Sequence, residues 1–158
     1  MQWDVVDEAE LERIKAMSED ELMEWYEEFE NRPSFDFDKV WHGVHAVLTH
    51  SAWDASGLGR AILGGTAFGD DGGYGPPRAM SAAEVREVAD MLDGLSVEEF
   101  RSQIDFDELV RLDIYPNIWD RVDEQPDLVV ELTGYYGQLR TEYRRAADAG
   151  QAMVISLT

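Results

Sequence analysis

All three histidines of this chain lie within residues 38–50, Asp-Lys-Val-Trp-His-Gly-Val-His-Ala-Val-Leu-Thr-His. His42 and His45 are three residues apart, and this spacing places both imidazoles on one face of a helix. Together with Asp38 they offer two nitrogens and one oxygen, which zinc or ferrous iron accepts when water fills the open positions. The same residues also suit an acid/base pair or the polar flank of a packed helix.

The metal hypothesis is the weakest of these three. The spacing His-Gly-Val-His departs from the His-Glu-x-x-His of zinc proteases, and His50 falls off the shared stripe on a helical wheel. We therefore predict no metal and no cofactor. A packed helix from Phe37 to His50 is the simpler hypothesis, with His45 buried beside Trp41 and His42 more exposed.

The glycine-rich segment 68–77 is a second candidate, as a cradle for phosphate. It lacks the Gly-Lys-Ser/Thr ending of a P-loop, and Asp70 and Asp71 would repel a phosphate group. The spaced acids of an EF-hand calcium loop are also missing. A structural loop whose glycines permit a positive φ is therefore the favoured interpretation.

Aromatic and polar residues in segments next to proline or glycine form a third candidate. Loops on a rigid scaffold often carry binding function, and competing with this is ordinary loop packing. The predicted binding residues are Trp41, Tyr74, Tyr115 and Trp119. Two weak catalytic candidates join them, His45 as the acid/base group and Arg78 as the anion holder. No serine sits in a nucleophile elbow.

Charge narrows the class of partner. The chain has 13 Lys plus Arg against 34 Asp plus Glu, a formal net charge of −21. Non-specific nucleic-acid binding needs cations that displace counterions, and an anionic membrane surface also attracts basic segments. We therefore expect neither a nucleic acid nor a membrane as a partner. A basic protein remains a candidate partner, and the alternative is that the acidity only supports solubility.

Cysteine is absent, which removes disulfides, thiolate nucleophiles and cysteine-based metal sites. No apolar region follows a basic N-terminal segment, and no run of 18 apolar residues exists. We therefore expect a soluble cytoplasmic protein.

The elements alternate without an internal repeat or linker. Capping boxes at Ser18, Ser81 and Ser96 begin amphipathic helices, the first of them continuing through Phe29 to Pro33. A long last helix is predicted over 127–149, and strands over 2–6, 60–67, 78–80 and 151–157. The whole pattern predicts one α+β domain, residues 1–158, predominantly helical with a small sheet of three or four short strands.

Several segments together resemble the YfbM-like family of bacterial proteins. They are the histidine-bearing helix just described, Ala61-Ile-Leu-Gly-Gly, Gly73-Tyr-Gly-Pro-Pro-Arg78 with Ser81-Ala-Ala-Glu-Val, Ile114-Tyr-Pro, and Tyr143-Arg-Arg-Ala-Ala-Asp-Ala-Gly150 before a terminal strand. Their order and spacing cover nearly the whole chain. The resemblance implies a bacterial α+β domain of unknown function, and it implies no reaction and no catalytic residues.

Two functional hypotheses remain. The leading one is a non-catalytic binding protein for a basic partner, in the manner of an immunity or antitoxin-like protein, since acidic patches accelerate such encounters. The alternative is a small-molecule enzyme that uses His45 and Arg78. A pocket converging on these two residues favours the enzyme, and a flat acidic face favours the binding protein. The oligomeric state is left open.

Overall fold

The computed structural model describes residues 1–28, 33–71 and 73–157. Within them the strands are β1 (Gln2–Val6), β2 (Ser34–Asp36), β3 (Thr66–Ala67), β4 (Arg78–Met80) and β5 (Ala152–Ser156). The α-helices are α1 (Glu8–Lys15), α2 (Glu19–Glu27), α3 (Trp41–Thr49), α4 (Arg60–Leu63), α5 (Ala82–Asp93), α6 (Val97–Ser102), α7 (Phe106–Arg111) and α8 (Gln125–Asp148). A 3-10 turn at Gly57–Gly59 precedes α4. No helix in these ranges is long and apolar enough to cross a membrane.

The predicted α+β class is confirmed, but the sheet has five strands and not three or four. Its order is β2-β1-β5-β4-β3, and every neighbouring pair is antiparallel. The sequence missed β2, which has only three residues. Residues 60–67 were predicted to form one strand, whereas α4 occupies the first half and only Thr66–Ala67 pairs with β4. A short apolar run such as Ala-Ile-Leu fits the periodicity of a strand as well as that of a helix, and in the structure it is helical.

The three predicted capping boxes are present. Ser18, Ser81 and Ser96 each accept from the backbone N–H three residues on, and the glutamate at that position reaches back to the cap. The last helix begins at Gln125, two residues before the predicted start, with a proline in its first turn. The predicted core residue Phe29 lies outside the described residues.

Helices cover both faces of the sheet. Alternate side chains of β5 point to opposite faces, so that Met153 and Ile155 join the large core under α3, α5 and α8. Ala152 and Val154 join a smaller core with α1 and α2. All five residues of β5 are buried, as expected for the central strand.

The helix α3 is shorter than predicted and begins at Trp41. Asp38 has a φ of 44°, a left-handed conformation that does not continue a helix. The large side chains of α3 face the core, and Gly43 lies directly against Trp119. A Cβ at Gly43 would lie 2.5 Å from the ring of Trp119 and 3.0 Å from Leu132. Glycine is therefore required here by the close packing of a side chain.

We expect Gly43→Ala to lower the free energy of unfolding by about 2 kcal/mol, because overpacking against a fixed ring exceeds the gain of about 1 kcal/mol in helix propensity. The ring cannot move freely, since the indole N–H of Trp119 donates to the Ile114 carbonyl at 2.6 Å. Gly134→Ala in α8 is the matched control. Nothing lies within 4 Å of its Cβ position, so it should stabilise by up to about 1 kcal/mol. Urea melts that rank the two variants equally would contradict the packing role.

Candidate functional site

His42 holds two loops against α3. Its Nε2 lies 2.8 Å from the carbonyl oxygen of Ala52, and its Nδ1 lies 3.2 Å from the backbone nitrogen of Tyr115. A carbonyl only accepts and a backbone N–H only donates. The ring is therefore neutral, with the proton on Nε2 and the lone pair on Nδ1. Both nitrogens are engaged, so His42 has no free position for proton transfer or metal binding.

The prediction that His42 is exposed was wrong. Only 2% of the residue is exposed, because Trp41 stacks on the ring at a centroid distance of 4.8 Å and the tilted ring of Trp53 packs against it at 4.5 Å. The helical wheel places His42 on the polar flank of α3, but segments distant in sequence cover that flank. Burial lowers the pKa of His42, and the contact with Ala52 and the charge of Asp113 partly offset this effect.

We therefore expect His42→Ala to lower the free energy of unfolding by about 2 kcal/mol or more, since it leaves two backbone groups without partners. His50→Ala is the control. The side chain of His50 is 57% exposed and, within the described part of the chain, pairs with Glu108 at the surface, so its loss should change stability by less than about 0.5 kcal/mol. Denaturant melts of the two variants measure the difference. A His42→Ala protein as stable as His50→Ala would show that the two hydrogen bonds contribute nothing.

His45 is fully buried, as predicted, but it is not satisfied. Neither ring nitrogen has a hydrogen-bond partner among the described residues. Burial lowers the pKa of His45 to about 4, and the neighbouring His42 acts in the same direction, while Asp54 raises it. The side chain is thus a neutral imidazole throughout the physiological range. It is not one of the residues that line the neighbouring cleft between Trp41, Trp53 and Tyr115.

The depressed pKa of His45 predicts acid sensitivity. The unfolded chain binds this proton near pH 6.5 and the folded chain only near pH 4, so the stability from the neutral ring is present above pH 6.5 and lost as the pH falls toward 4. The loss amounts to about 3 kcal/mol as an order of magnitude. His45→Leu should keep the fold and flatten the curve of unfolding free energy between pH 6.5 and 4. Parallel curves for wild type and His45→Leu would contradict the shift.

An aromatic cleft of about 680 Å³ opens beside His42. Its aromatic walls are Trp41, Trp53, Tyr74 and Tyr115, and its carboxylates are Asp36, Asp38 and Asp113. Trp53, Tyr74 and Tyr115 are 66%, 73% and 46% exposed. These large rings face solvent, although aromatic side chains gain most by burial. The aromatic cleft is therefore the strongest candidate binding site on the described surface.

The charges of the aromatic cleft are mixed but predominantly negative. Its three carboxylates face Lys39 and the amino group of Met1, which lies 3.3 Å from Asp36. Three negative and two positive groups leave a net charge of −1. Asp38 and Asp113 both adopt a positive φ, of 44° and 55°. Asparagine tolerates this conformation as well as aspartate does, so either charge can be removed without changing the backbone.

The structure brings together three of the four predicted binding residues, Trp41, Tyr74 and Tyr115. Trp119 lies elsewhere, 1% exposed in the core under Gly43. Arg78 is half-buried, and its Nε donates to the Gly64 carbonyl at 3.1 Å. Neither Arg78 nor His45 lines the aromatic cleft.

Trp53, Asp36 and Asp113 were not predicted from the sequence, and Asp38 was considered only as a metal ligand. A tryptophan in a loop rich in serine and glycine is a usable signal for Trp53, since such loops are exposed. No such signal marks Asp36 and Asp113, because acids occur throughout this chain. Among the described residues, no group of three His, Asp or Glu side chains is arranged to hold a metal ion.

Comparisons with other proteins agree with the fold. The model of a family described as a domain of unknown function, DUF1877, matches residues 2–156. The crystal structure of YfbM from Escherichia coli, a protein of unknown function, matches with a TM-score of 0.70 at 20% sequence identity, covering 99% of this chain and 98% of that one. The predicted resemblance is thus confirmed. A comparison with curated proteins gives no match.

Proposed function

We propose that this chain, which belongs to the DUF1877 family of unknown function, is a non-catalytic binding protein whose aromatic cleft receives a cationic side chain of a basic partner protein. The observation that carries the proposal is the combination of exposed aromatic rings with carboxylates in one cleft. Each half of this combination favours a cation for a different physical reason.

The aromatic half favours a cation through the ring faces. Lysine or arginine within about 6 Å of a tryptophan or tyrosine centroid is attracted to the negative face of the ring, and arginine stacks especially well. Trp53 already packs against Trp41, with ring centroids 6.3 Å apart. Tryptophan and tyrosine are also enriched among the residues that dominate binding energy at interfaces.

The acidic half adds attraction at short and long range. Asp38 and Asp113 lie beside the rings, and the net charge of −21 extends the negative field beyond the aromatic cleft. Fields of this kind accelerate the encounter with a basic protein and make association sensitive to salt. A nucleic acid or an anionic surface would meet repulsion from the same charges.

No observation on the described residues favours the enzymatic alternative. An acid/base group needs to lie within hydrogen-bond reach of a bound substrate. His45 is enclosed in the core, His42 has both nitrogens engaged, and the guanidinium of Arg78 donates to a backbone carbonyl. An immunity or antitoxin-like role in a bacterial cytoplasm is the biological setting that this proposal suggests.

The test is a retention experiment with matched variants. Immobilised wild-type protein should retain a basic protein from a host lysate at low salt. A triple variant, Trp53→Ala with Asp38→Asn and Asp113→Asn, should lose at least nine-tenths of that protein, as measured by quantitative mass spectrometry.

The control for charge is Asp120→Asn with Asp123→Asn, two exposed carboxylates outside the aromatic cleft. This double variant removes the same number of charges and should retain the partner. Equal retention by the triple variant and by wild type would overturn the proposal. If the triple variant and the control lose equal amounts of the retained protein, the interaction is non-specific charge attraction and the proposal is wrong.

A further inference from the structure

A second cavity, the apolar groove, lies next to the aromatic cleft. It has a volume of about 630 Å³ between α2, the ends of β1 and β5, and the loop 68–77. Its apolar walls are Met17, Leu22, Met23, Tyr26, Pro77 and Leu157. Met23 is 59% exposed. The apolar groove has no role in the function proposed above, and its lining is chemically different.

The two cavities are neighbours and share part of their lining. Tyr74 and Leu157 line both of them. Of the seven large apolar or aromatic side chains that the described residues leave exposed, four belong to this combined surface: Met23, Trp53, Tyr74 and Tyr115. Apolar residues concentrated in one concave surface with a polar rim are typical of interaction sites.

A buried hydroxyl in the apolar groove lacks a partner. Ser156 is 6% exposed, lines the groove, and its Oγ has no hydrogen-bond partner among the described residues. Buried polar atoms are nearly always paired, so one that is not needs an explanation. A polar atom of a ligand in the groove, such as a peptide backbone group, is a candidate partner for this hydroxyl.

The charge of the apolar groove matches that of the aromatic cleft. Two carboxylates, those of Glu19 and Asp70, line the apolar groove, and no lysine or arginine among the described residues lines it. An occupant carrying positive charge is therefore favoured at both cavities, and one with negative charge is disfavoured at both.

We infer that the apolar groove is the second subsite of one peptide-binding surface. It takes an apolar side chain from the same basic segment whose cationic side chain enters the aromatic cleft, with Tyr74 between the two subsites. This inference rests on the proposed function, because it assumes that a cation occupies the aromatic cleft. It adds a specificity: the partner must present an apolar residue close to its lysine or arginine.

Capped synthetic peptides test the inference. In one series, arginine and leucine are separated by zero to three glycines, and in a second series serine replaces the leucine. We expect the best arginine–leucine peptide to bind wild-type protein at least about tenfold more tightly than its serine counterpart, since burying a leucine side chain is worth at least that factor. NMR titration of the labelled protein, followed at the tryptophan indoles and at backbone amides, measures both affinities.

Variants test whether the affinity gained from leucine arises in the apolar groove. Met23→Ser should reduce the leucine advantage to less than about threefold and leave the affinity for the arginine–serine peptide unchanged. Val130→Ser on α8 is the matched control, since Val130 is 70% exposed and lies outside both cavities. Ser156→Ala should weaken the arginine–leucine peptide about two- to tenfold, as the loss of one hydrogen bond does, and should not lower the melting temperature.

The outcomes separate the two proposals. If both series bind wild type with equal affinity, or if Met23→Ser and Val130→Ser reduce the leucine advantage equally, the second subsite is overturned and the cation-binding aromatic cleft stands. If neither series binds, the aromatic cleft does not hold a cationic side chain, and both proposals fall.

Discussion

The two hydrogen bonds of His42 are the constraint on which the candidate site depends. They join α3 to the backbone of Ala52 on one side and of Tyr115 on the other, so one neutral ring fixes the positions of two loops. The aromatic residues that follow those anchor points, Trp53 and Tyr115 itself, form walls of the aromatic cleft. A rigid frame of this kind reduces the entropy lost when a ligand orders exposed rings. The histidine also lines the aromatic cleft, and it shapes the site through these two hydrogen bonds.

The core imposes a second constraint at the same helix. Gly43 lets Trp119 approach α3 closely, and the Trp119 indole then secures the Ile114 carbonyl, one residue before Tyr115. The side of α3 that faces the core and the side that faces the aromatic cleft thus hold the same loop. This explains why Trp119, an aromatic residue next to the predicted site, belongs to the scaffold.

The features that depend on local chemistry could be predicted from the sequence. The capping boxes at Ser18, Ser81 and Ser96 and the last strand, dense in β-forming residues, could be predicted because both signals lie in neighbouring residues of the chain. Three aromatic residues of the aromatic cleft, Trp41, Tyr74 and Tyr115, could be predicted because they flank the histidine pair, glycine or proline. The burial of His42 could not be predicted, because residues 52 and 115 lie in loops whose positions hydrophobic periodicity does not determine. Asp36 and Asp113 could not be singled out among 34 acidic residues.

The position of β5 has a consequence for the chain during its synthesis. The strand Ala152–Ser156 lies between β1, which begins at residue 2, and β4. Until it emerges, the earlier strands have no common partner, and the open backbone edges of β1 and β4 are exposed to other nascent chains. Closure of so long a loop also slows folding. The excess of acidic residues opposes such pairing, because like-charged unfinished chains repel one another.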